Sequence, residues 1–190
     1  MELKLSERIY NDMIQDILKG NYSARDFISE AQIAAKYQVS KAPVKEALHN
    51  LANEGYLVSY PKRGYMINTY SREEINKIQD IRRVLEAYAV QKAIQNASDE
   101  KLEALRFYRT EEELQYSPSK SVNARFHLGL AEASGNEYLV EVLRPLVLRA
   151  SMYNIEGKPD TANFDRILDA MKERDTEKAL RMLEEDIRYL

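Results

Sequence analysis

The chain of 190 residues contains no cysteine. Without thiols it cannot form disulfides, use a cysteine nucleophile or bind zinc as a zinc finger does. It also lacks an apolar run near the ~18 residues of a membrane helix, and residues 1–20 lack the apolar core of a secretory signal. With 44% hydrophobic and 31% charged residues, the composition predicts a packed, soluble protein, and the absence of cysteine is typical of the cytoplasm.

A strong excess of positive charge is absent too. The formal net charge is -3. Residues 1–71 carry nine Lys and Arg against eight Asp and Glu, and residues 72–190 carry nineteen against twenty-three. Bulk electrostatic attraction therefore cannot hold the chain on a nucleic acid, and any DNA binding requires a local basic patch.

Residues 40–51 contain such a patch. Ser40 is placed to cap a helix, and Pro43 falls in the first turn, where a missing N–H breaks no helical bond. Apolar residues at helical spacing predict a buried stripe of Val44, Ala47, Leu48 and Leu51. The opposite arc carries Lys41 at its edge, then Ala42, Lys45, Glu46 and His49. This pattern is typical of a helix that enters a DNA groove.

Two further helices are predicted before this one. The first spans about residues 6–19, with Ser6 as its N-cap and Gly20 as its stop. Ser29 and Gln32 form the capping box of the second, shorter helix. Because the second and third helices are separated by only a short turn, the order is that of a helix-turn-helix.

A hairpin is predicted after the third helix. Residues 56–60 and 65–68 are rich in apolar and aromatic side chains, and they flank a four-residue turn with proline and glycine. The turn also carries Lys62 and Arg63, so the hairpin has the charge of a wing that grips a DNA backbone. These elements together predict a winged helix-turn-helix domain over residues 1–70.

Residues 71–190 show no further strand signal and predict an all-α bundle of about six helices. Ser71 and Glu74 form a capping box that opens a long helix ending near Asn96. Its predicted inner face comprises Ile75, Ile78, Arg82, Leu85 and Ala89. Further helices are predicted to begin at about Ser98, Ser121, Asn136, Thr161 and Thr176. Residues 116–121 interrupt the pattern and stay unassigned.

Read together, these segments resemble the GntR family of bacterial transcription regulators. In the first domain the matching residues are 29–30, 33–34, 39–48, Leu51, 54–55 and 63–65. The second domain resembles the FCD ligand-binding domain of the FadR-like subfamily at residues 82–86, 126–136 and 167–171. The resemblance implies a homodimeric regulator, most often a repressor, that binds double-stranded operator DNA and responds to a small molecule in the bundle.

The resemblance places the DNA contacts on the third helix and the wing, at Ser40, Lys41, Ala42, Lys45, His49, Lys62, Arg63 and Gly64. The family usually has arginine where this chain has Lys41 and Lys45, and threonine where it has Ala42. Lysine keeps the charge but lacks the bidentate fork that reads guanine, so phosphate contact is better predicted than base readout. Gly64 would let the wing backbone approach DNA closely. The alternative is that the lysines only solvate a surface face.

Many FCD domains bind a divalent metal through an aspartate, a histidine four residues later and two further histidines. The resemblance places these positions at Asn123, His127, Phe164 and Asp186. Since the only other histidine is His49, a three-histidine site is excluded. Two alternatives remain: a weak, oxygen-rich metal site at Asn123, His127 and Asp186, or a bundle without metal. The depleted ligands favour the second, in which His127 is a polar effector contact or a satisfied core histidine.

Arg82 is the main candidate for binding an effector, because a buried arginine requires an anionic partner. That partner is either the carboxylate of a small acidic metabolite or a residue of the chain, Glu86 or Asp186. The predicted effector site comprises Arg82, Asn123, His127, Arg149 and Asp186.

Three functions compete at this point. The first is a transcription regulator, most often a repressor, controlled by a small carboxylate in the bundle. The second is a DNA-binding dimer without an effector, whose bundle serves only for dimerisation. The third is a metal-assisted hydrolase, which the depleted metal ligands and the lack of a nucleophile–base pair oppose.

Overall fold

The computed structural model of the chain describes residues 4–18, 20–106, 122–153 and 161–187. The chain forms two compact units that divide between Thr69 and Tyr70, here called the N-terminal unit and the C-terminal unit. The predicted mainly α architecture with a hairpin after the third helix is confirmed. Among the described residues, no helix combines the length and the hydrophobicity needed to cross a bilayer.

Three helices and a hairpin build the N-terminal unit. They are α1 (Leu5–Leu18), α2 (Glu30–Tyr37), α3 (Lys41–Asn53), β1 (Leu57–Tyr60) and β2 (Gly64–Ile67). α1 packs against α3, and the residues buried in this core include Ile9, Met13, Ile14, Ile17, Val44, Leu48 and Leu51. Since each such side chain contributes about 1.5–3 kcal/mol on burial, this apolar contact fixes which side of α3 faces outward.

Two predicted caps of this unit have different outcomes. Ser29 accepts a hydrogen bond from Gln32 N at 3.2 Å and donates its own N–H to Gln32 Oε1 at 3.0 Å, so its capping box is confirmed. Ser6 as an N-cap is wrong, because it lies inside the first turn of α1 and is buried. The helix begins earlier, where Lys4 N donates to the Glu7 carboxylate at 3.0 Å.

The hairpin is joined to the segment before α2. β1 and β2 are antiparallel, in a register that pairs Tyr60 with Gly64. Ile28 N donates to the carbonyl of Tyr65 at 2.7 Å, and Tyr65 N donates to the carbonyl of Ile28 at 2.9 Å. The segment before α2 and the hairpin after α3 are therefore hydrogen-bonded to each other.

Six helices in the described residues build the C-terminal unit. They are α4 (Arg72–Asn96), α5 (Asp99–Ala104), α6 (Val122–Ala133), α7 (Glu137–Tyr153), α8 (Thr161–Lys172) and α9 (Thr176–Asp186). The predicted capping box of α4 is confirmed, since Glu74 N donates to Ser71 Oγ at 3.2 Å and Ser71 N donates to Glu74 Oε2 at 2.8 Å. In the core, the Phe126 and Phe164 rings stack with centroids 4.1 Å apart.

The inner face of α4 differs from the predicted one. Arg82 is buried as predicted, but Ile78 and Leu85 are only half-buried. Gln79 and Glu86 lie on the buried stripe instead. Since these two residues sit three before and four after Arg82, they share its side of the helix and supply the polar partners that a buried arginine requires. Three polar side chains of α4, Gln79, Arg82 and Glu86, thus lie inside the bundle.

Candidate nucleic-acid interface and buried polar cluster

α3 presents its basic side to solvent because its apolar side is wholly buried. Its inward residues are Val44, Ala47, Leu48 and Leu51. The exposed side and the preceding residue hold Ser40, Lys41, Ala42, Lys45 and His49, all of them exposed. Within the described residues the side chains of Lys41 and Lys45 form no hydrogen bond or ion pair. Both ammonium groups are therefore accessible to a phosphate or a base edge.

A tight turn sets α3 apart from α2. Gln38 adopts the left-handed conformation at φ 54°, and Val39 N donates to the carbonyl of Ala34 at 3.0 Å. Ser40 then stands at the N-cap with an extended backbone, but its side chain makes no capping hydrogen bond. Ser40 therefore occupies the predicted N-cap position but does not form the predicted capping hydrogen bond. Its hydroxyl lies at the exposed N-terminus of α3.

The tip of the hairpin exposes two cations, Lys62 and Arg63. Gly64 follows at φ 107°, and a Cβ there would lie 2.5 Å from the carbonyl oxygen of Ile28. Glycine is therefore required at this position by the backbone conformation and by the bridge to Ile28. The fold explains this glycine without the close approach to DNA that the sequence analysis invoked.

One lysine of the N-terminal unit is engaged internally. Lys36, in the last turn of α2, bonds Asp16 at 2.6 Å and lies 5.5 Å from the ring centroids of both Tyr22 and Tyr37. The hydrogen bond to Asp16 raises the pKa of Lys36 above its ordinary value, and burial raises the pKa of Tyr37 to about 12. Lys36 thus differs from Lys41 and Lys45, for which the described part of the chain offers no such partner.

The C-terminal unit holds a buried polar cluster around Arg82. Arg82 Nε donates to Glu86 Oε1 at 2.8 Å, and its Nη1 donates to Gln79 Oε1 at 2.9 Å. The third nitrogen, Nη2, is buried and has no hydrogen-bond partner among the described residues. Of the partners considered for Arg82, the structure shows an ion pair with Glu86, and one donor is left over.

His127 extends the cluster from α6 toward α9. Its Nδ1 hydrogen-bonds Glu86 Oε2, and its Nε2 lies 3.1 Å from both Asn123 Oδ1 and Asp186 Oδ2. Asn163 Nδ2 donates to the other oxygen of Asp186 at 3.0 Å. The structure therefore brings together four of the five predicted effector residues, with Glu86 linking Arg82 to the rest.

The charges in this cluster alternate in sign. Burial alone would raise the pKa of Glu86, but the positive charges of Arg82 and His127 outweigh it and hold this pKa below its ordinary value. Burial likewise opposes ionisation of His127 and Asp186, yet the pKa of His127 is raised by Glu86, and that of Asp186 is lowered by its hydrogen bond with His127. Each nitrogen of His127 thus faces a carboxylate, an arrangement that favours the protonated ring.

The residues do not fit the metal that the resemblance implies. A metal ligand must be a neutral imidazole with a free lone pair, whereas both His127 nitrogens face carboxylates. Phe164, at the third ligand position, places its ring edge-on to His127 with centroids 5.9 Å apart. In the described ranges no group of three or more His, Asp or Glu side chains could hold a metal ion.

The fifth predicted effector residue, Arg149, stands apart. It lies half-buried on α7, and within the described residues no hydrogen bond or ion pair connects it to the cluster. Two residues of the cluster, Gln79 and Asn163, were not predicted from the sequence. The spacing of Gln79 from Arg82 could have signalled the first, but Asn163 reaches Asp186 only through tertiary packing.

Comparisons with known proteins identify the family of each of the two units. Residues 5–67 match the family described as bacterial regulatory proteins, gntR family, and residues 77–189 match the FCD domain. Together the two matches account for most of the chain.

The chain is 27% identical over 180 residues to the uncharacterized HTH-type transcriptional regulator YdhC of Bacillus subtilis (strain 168), covering 92% of this chain and 75% of that protein. It is 23% identical over 201 residues to the gluconate operon transcriptional repressor of Bacillus licheniformis, covering 94% and 80%. The solved structure of E. coli McbR/YncC has the same fold, with a TM-score of 0.74 at 22% identity over 98% of this chain and 94% of that one.

Proposed function

Because the chain belongs to the gntR family of bacterial regulatory proteins, and is a DNA-binding transcription regulator rather than an enzyme, we propose that it is a repressor controlled by a small carboxylate. The observation that supports DNA binding is the exposed basic side of α3, which lies opposite a fully buried apolar stripe. The repressor named among the relatives supports the direction of control.

In the proposed complex α3 enters the major groove of operator DNA. Lys41 and Lys45 contact phosphates or base edges, with Ser40, Ala42 and His49 beside them. Lys62 and Arg63 of the wing contact the flanking backbone. Because lysine offers a point charge rather than a planar fork, most of the affinity in this arrangement comes from phosphates and falls with added salt.

The protein is proposed to act as a homodimer through the C-terminal unit. α4 exposes apolar side chains at helical spacing, Ile81, Val84 and Tyr88, and α7 exposes Tyr138 and Val142. α4 packs against α7 in the same unit, and such faces remain exposed in few stable monomers. Two copies related by a two-fold axis would present two α3 helices to half-sites about 34–36 Å apart, or a multiple of that spacing.

Val84→Asp tests the dimer face, because it places a charge at the most exposed of these apolar positions. We expect sedimentation equilibrium to show a monomer for Val84→Asp and a dimer for the wild type. Lys101→Asp, at an exposed position on α5 and so on neither α4 nor α7, is the control and should remain dimeric. A dimeric Val84→Asp protein would move the interface elsewhere.

The effector is proposed to bind Arg82 through a carboxylate oxygen. The supporting observation is the buried Nη2 donor without a partner, since leaving a charged donor unsatisfied is costly and an anion would satisfy it. A ligand that binds one arrangement of the dimer more tightly shifts operator affinity by the same coupling free energy.

A second function is favoured by a different observation. Apart from the Arg82 Nη2 atom, the cluster atoms described above are paired with one another, and Phe164 stands at the third metal position beside His127. A bundle whose buried polar groups are already paired needs no ligand, and it is suited to a DNA-binding dimer that responds to no small molecule.

Two measurements separate these functions. A gel shift with the region upstream of the protein's own gene tests DNA binding, and no shift at low salt with folded protein would overturn it. A thermal-shift screen against small carboxylates tests the effector, because a ligand at 100 times its Kd stabilises the protein by ~2.7 kcal/mol. Binding of DNA without stabilisation by any carboxylate would favour the dimer without an effector.

A further inference from the structure

We infer that Phe27 is a positioning residue for Arg63 and through it for DNA binding, an inference that rests on the wing contact proposed above. Phe27 lies in the segment between α1 and α2, far from the wing in sequence. Its ring nevertheless lies beneath the guanidinium of Arg63, with Cζ 4.2 Å from the ring centroid.

The backbone holds this ring in place. Ile28, the next residue, exchanges two hydrogen bonds with Tyr65 at 2.7 and 2.9 Å, and these bonds fix the Phe27 backbone against β2. Tyr60 packs on the ring edge-to-face, with centroids 5.5 Å apart and an interplanar angle of 81°. Since Tyr60 precedes the turn and Arg63 ends it, a single aromatic ring contacts both sides of the wing tip.

The contact with Phe27 leaves the hydrogen-bond donors of the Arg63 side chain unused. In the described part of the chain the Arg63 side chain makes no hydrogen bond or ion pair. Five donors therefore remain in the plane of the group for phosphate oxygens or base edges. Lys62, in the same turn, has no aromatic contact among the described residues and provides an internal comparison.

The contact with Phe27 restricts the Arg63 side chain before DNA binds. A free arginine side chain loses rotamer entropy when DNA immobilises it, whereas a stacked one has already lost part of it. A cation–π contact at an exposed site has the strength to change affinity about two- to five-fold. Phe27 should thus increase operator affinity without touching the DNA or carrying a charge.

A double-mutant cycle on the full chain tests this inference. The probe is a labelled duplex spanning the region upstream of the protein's own gene, and the readout is Kd as a function of salt. The variants are Phe27→Leu, Arg63→Ala, their combination, and Phe27→Tyr, which keeps an aromatic ring. Lys62→Ala with and without Phe27→Leu is the matched control, and melting temperatures verify folding.

We expect Phe27→Leu to weaken binding about two- to five-fold when Arg63 is present and not at all when it is alanine. Its salt slope should equal that of the wild type, whereas Arg63→Ala lowers the slope by about 1. Phe27→Tyr should restore affinity, and Lys62→Ala should add independently. If leucine destabilises the fold, Phe27→Met replaces it in the cycle.

Two results would overturn the inference while leaving the proposed function intact. One is an equal loss from Phe27→Leu in both Arg63 backgrounds, and the other is no loss at all beside a clear loss from Arg63→Ala. A wild-type protein that does not bind, or an Arg63→Ala protein that binds as the wild type does, would instead contradict the proposed wing contact.

Discussion

The two units treat charge in opposite ways. The N-terminal unit buries an apolar stripe of α3 and leaves Lys41 and Lys45 exposed, with no side-chain partner among the described residues. The C-terminal unit buries Arg82 and His127 and surrounds them with carboxylates. A charge that contributes to binding must be accessible and unpaired, whereas a buried charge must be paired or the fold is lost. Substitutions of the exposed lysines of α3 should therefore alter DNA binding, and those of the buried charges in the cluster should alter stability.

The largest effect is expected from Glu86→Gln, which removes the anion between two buried cations. Breaking a buried pair by removing one partner costs about 3–5 kcal/mol, because the remaining charge is left uncompensated. Urea denaturation followed by circular dichroism should show this loss. Glu73→Gln, on the exposed side of the same helix, breaks its ion pair with Lys77 and should leave stability unchanged. Equal effects of the two substitutions would contradict the distinction between buried, paired charges and exposed ones.

A smaller loss is expected from Gly64→Ala in the N-terminal unit. The positive φ and the close carbonyl of Ile28 oppose a Cβ there, and backbone strain of this kind costs about 1–3 kcal/mol. Gly20→Ala also has a positive φ but meets no atom within 4 Å, so it should cost less. Thermal unfolding of both variants measures the difference. If Gly64→Ala were as stable as the wild type, the bridge to Ile28 would not constrain the wing.

The smallest effect is expected in the pH dependence of the cluster. The pKa of His127 is raised in the fold against the opposing effect of burial, by Glu86 and Asp186, so its stabilisation is complete below about pH 6.5 and is lost as pH rises through the folded pKa. The pKa values of Glu86 and Asp186 are lowered, so their contributions fade as pH falls through the folded values.

Chemical denaturation of the wild type at several pH values between about 6 and 9 measures the alkaline side of this profile. His127→Gln should flatten it, whereas His49→Gln, on the exposed side of α3, should retain it. These are the only two histidines of the chain, so the pair of variants assigns the effect without ambiguity. An unchanged slope in His127→Gln would mean that His127 is not charged in the fold.

Local patterns were predictable from the sequence, and tertiary ones were not. The capping boxes at Ser29 and Ser71 depend on residues three apart, and both form as predicted. Ser6 failed because the helix begins before it. The predicted inner face of α4 was wrong at Ile78 and Leu85. Hydrophobic periodicity cannot identify a buried face that includes polar residues, and here Gln79 and Glu86 are buried by their bonds to Arg82.

The site residues also divide into those predictable from local spacing and those brought together by tertiary packing. The basic side of α3 follows from helical spacing alone, because exposure there is the complement of an apolar stripe. Glu86 was foreseeable as a partner four residues from Arg82, but its bond to His127 joins two helices distant in sequence. Phe27 gave no signal, since its contact with Arg63 arises only when the chain before α2 meets the hairpin.

The most direct test of the account is the salt dependence of DNA binding by the wild type and by the Lys41→Ala/Lys45→Ala double variant. Fluorescence anisotropy with the upstream duplex should show wild-type binding, and the double variant should bind more weakly, with a log–log salt slope lower by about 2. Its melting temperature should not change, and Lys36→Met, whose lysine is bonded to Asp16, should keep the wild-type slope. Folded wild-type protein that does not bind at low salt, or a double variant with unchanged affinity and slope, would contradict the account.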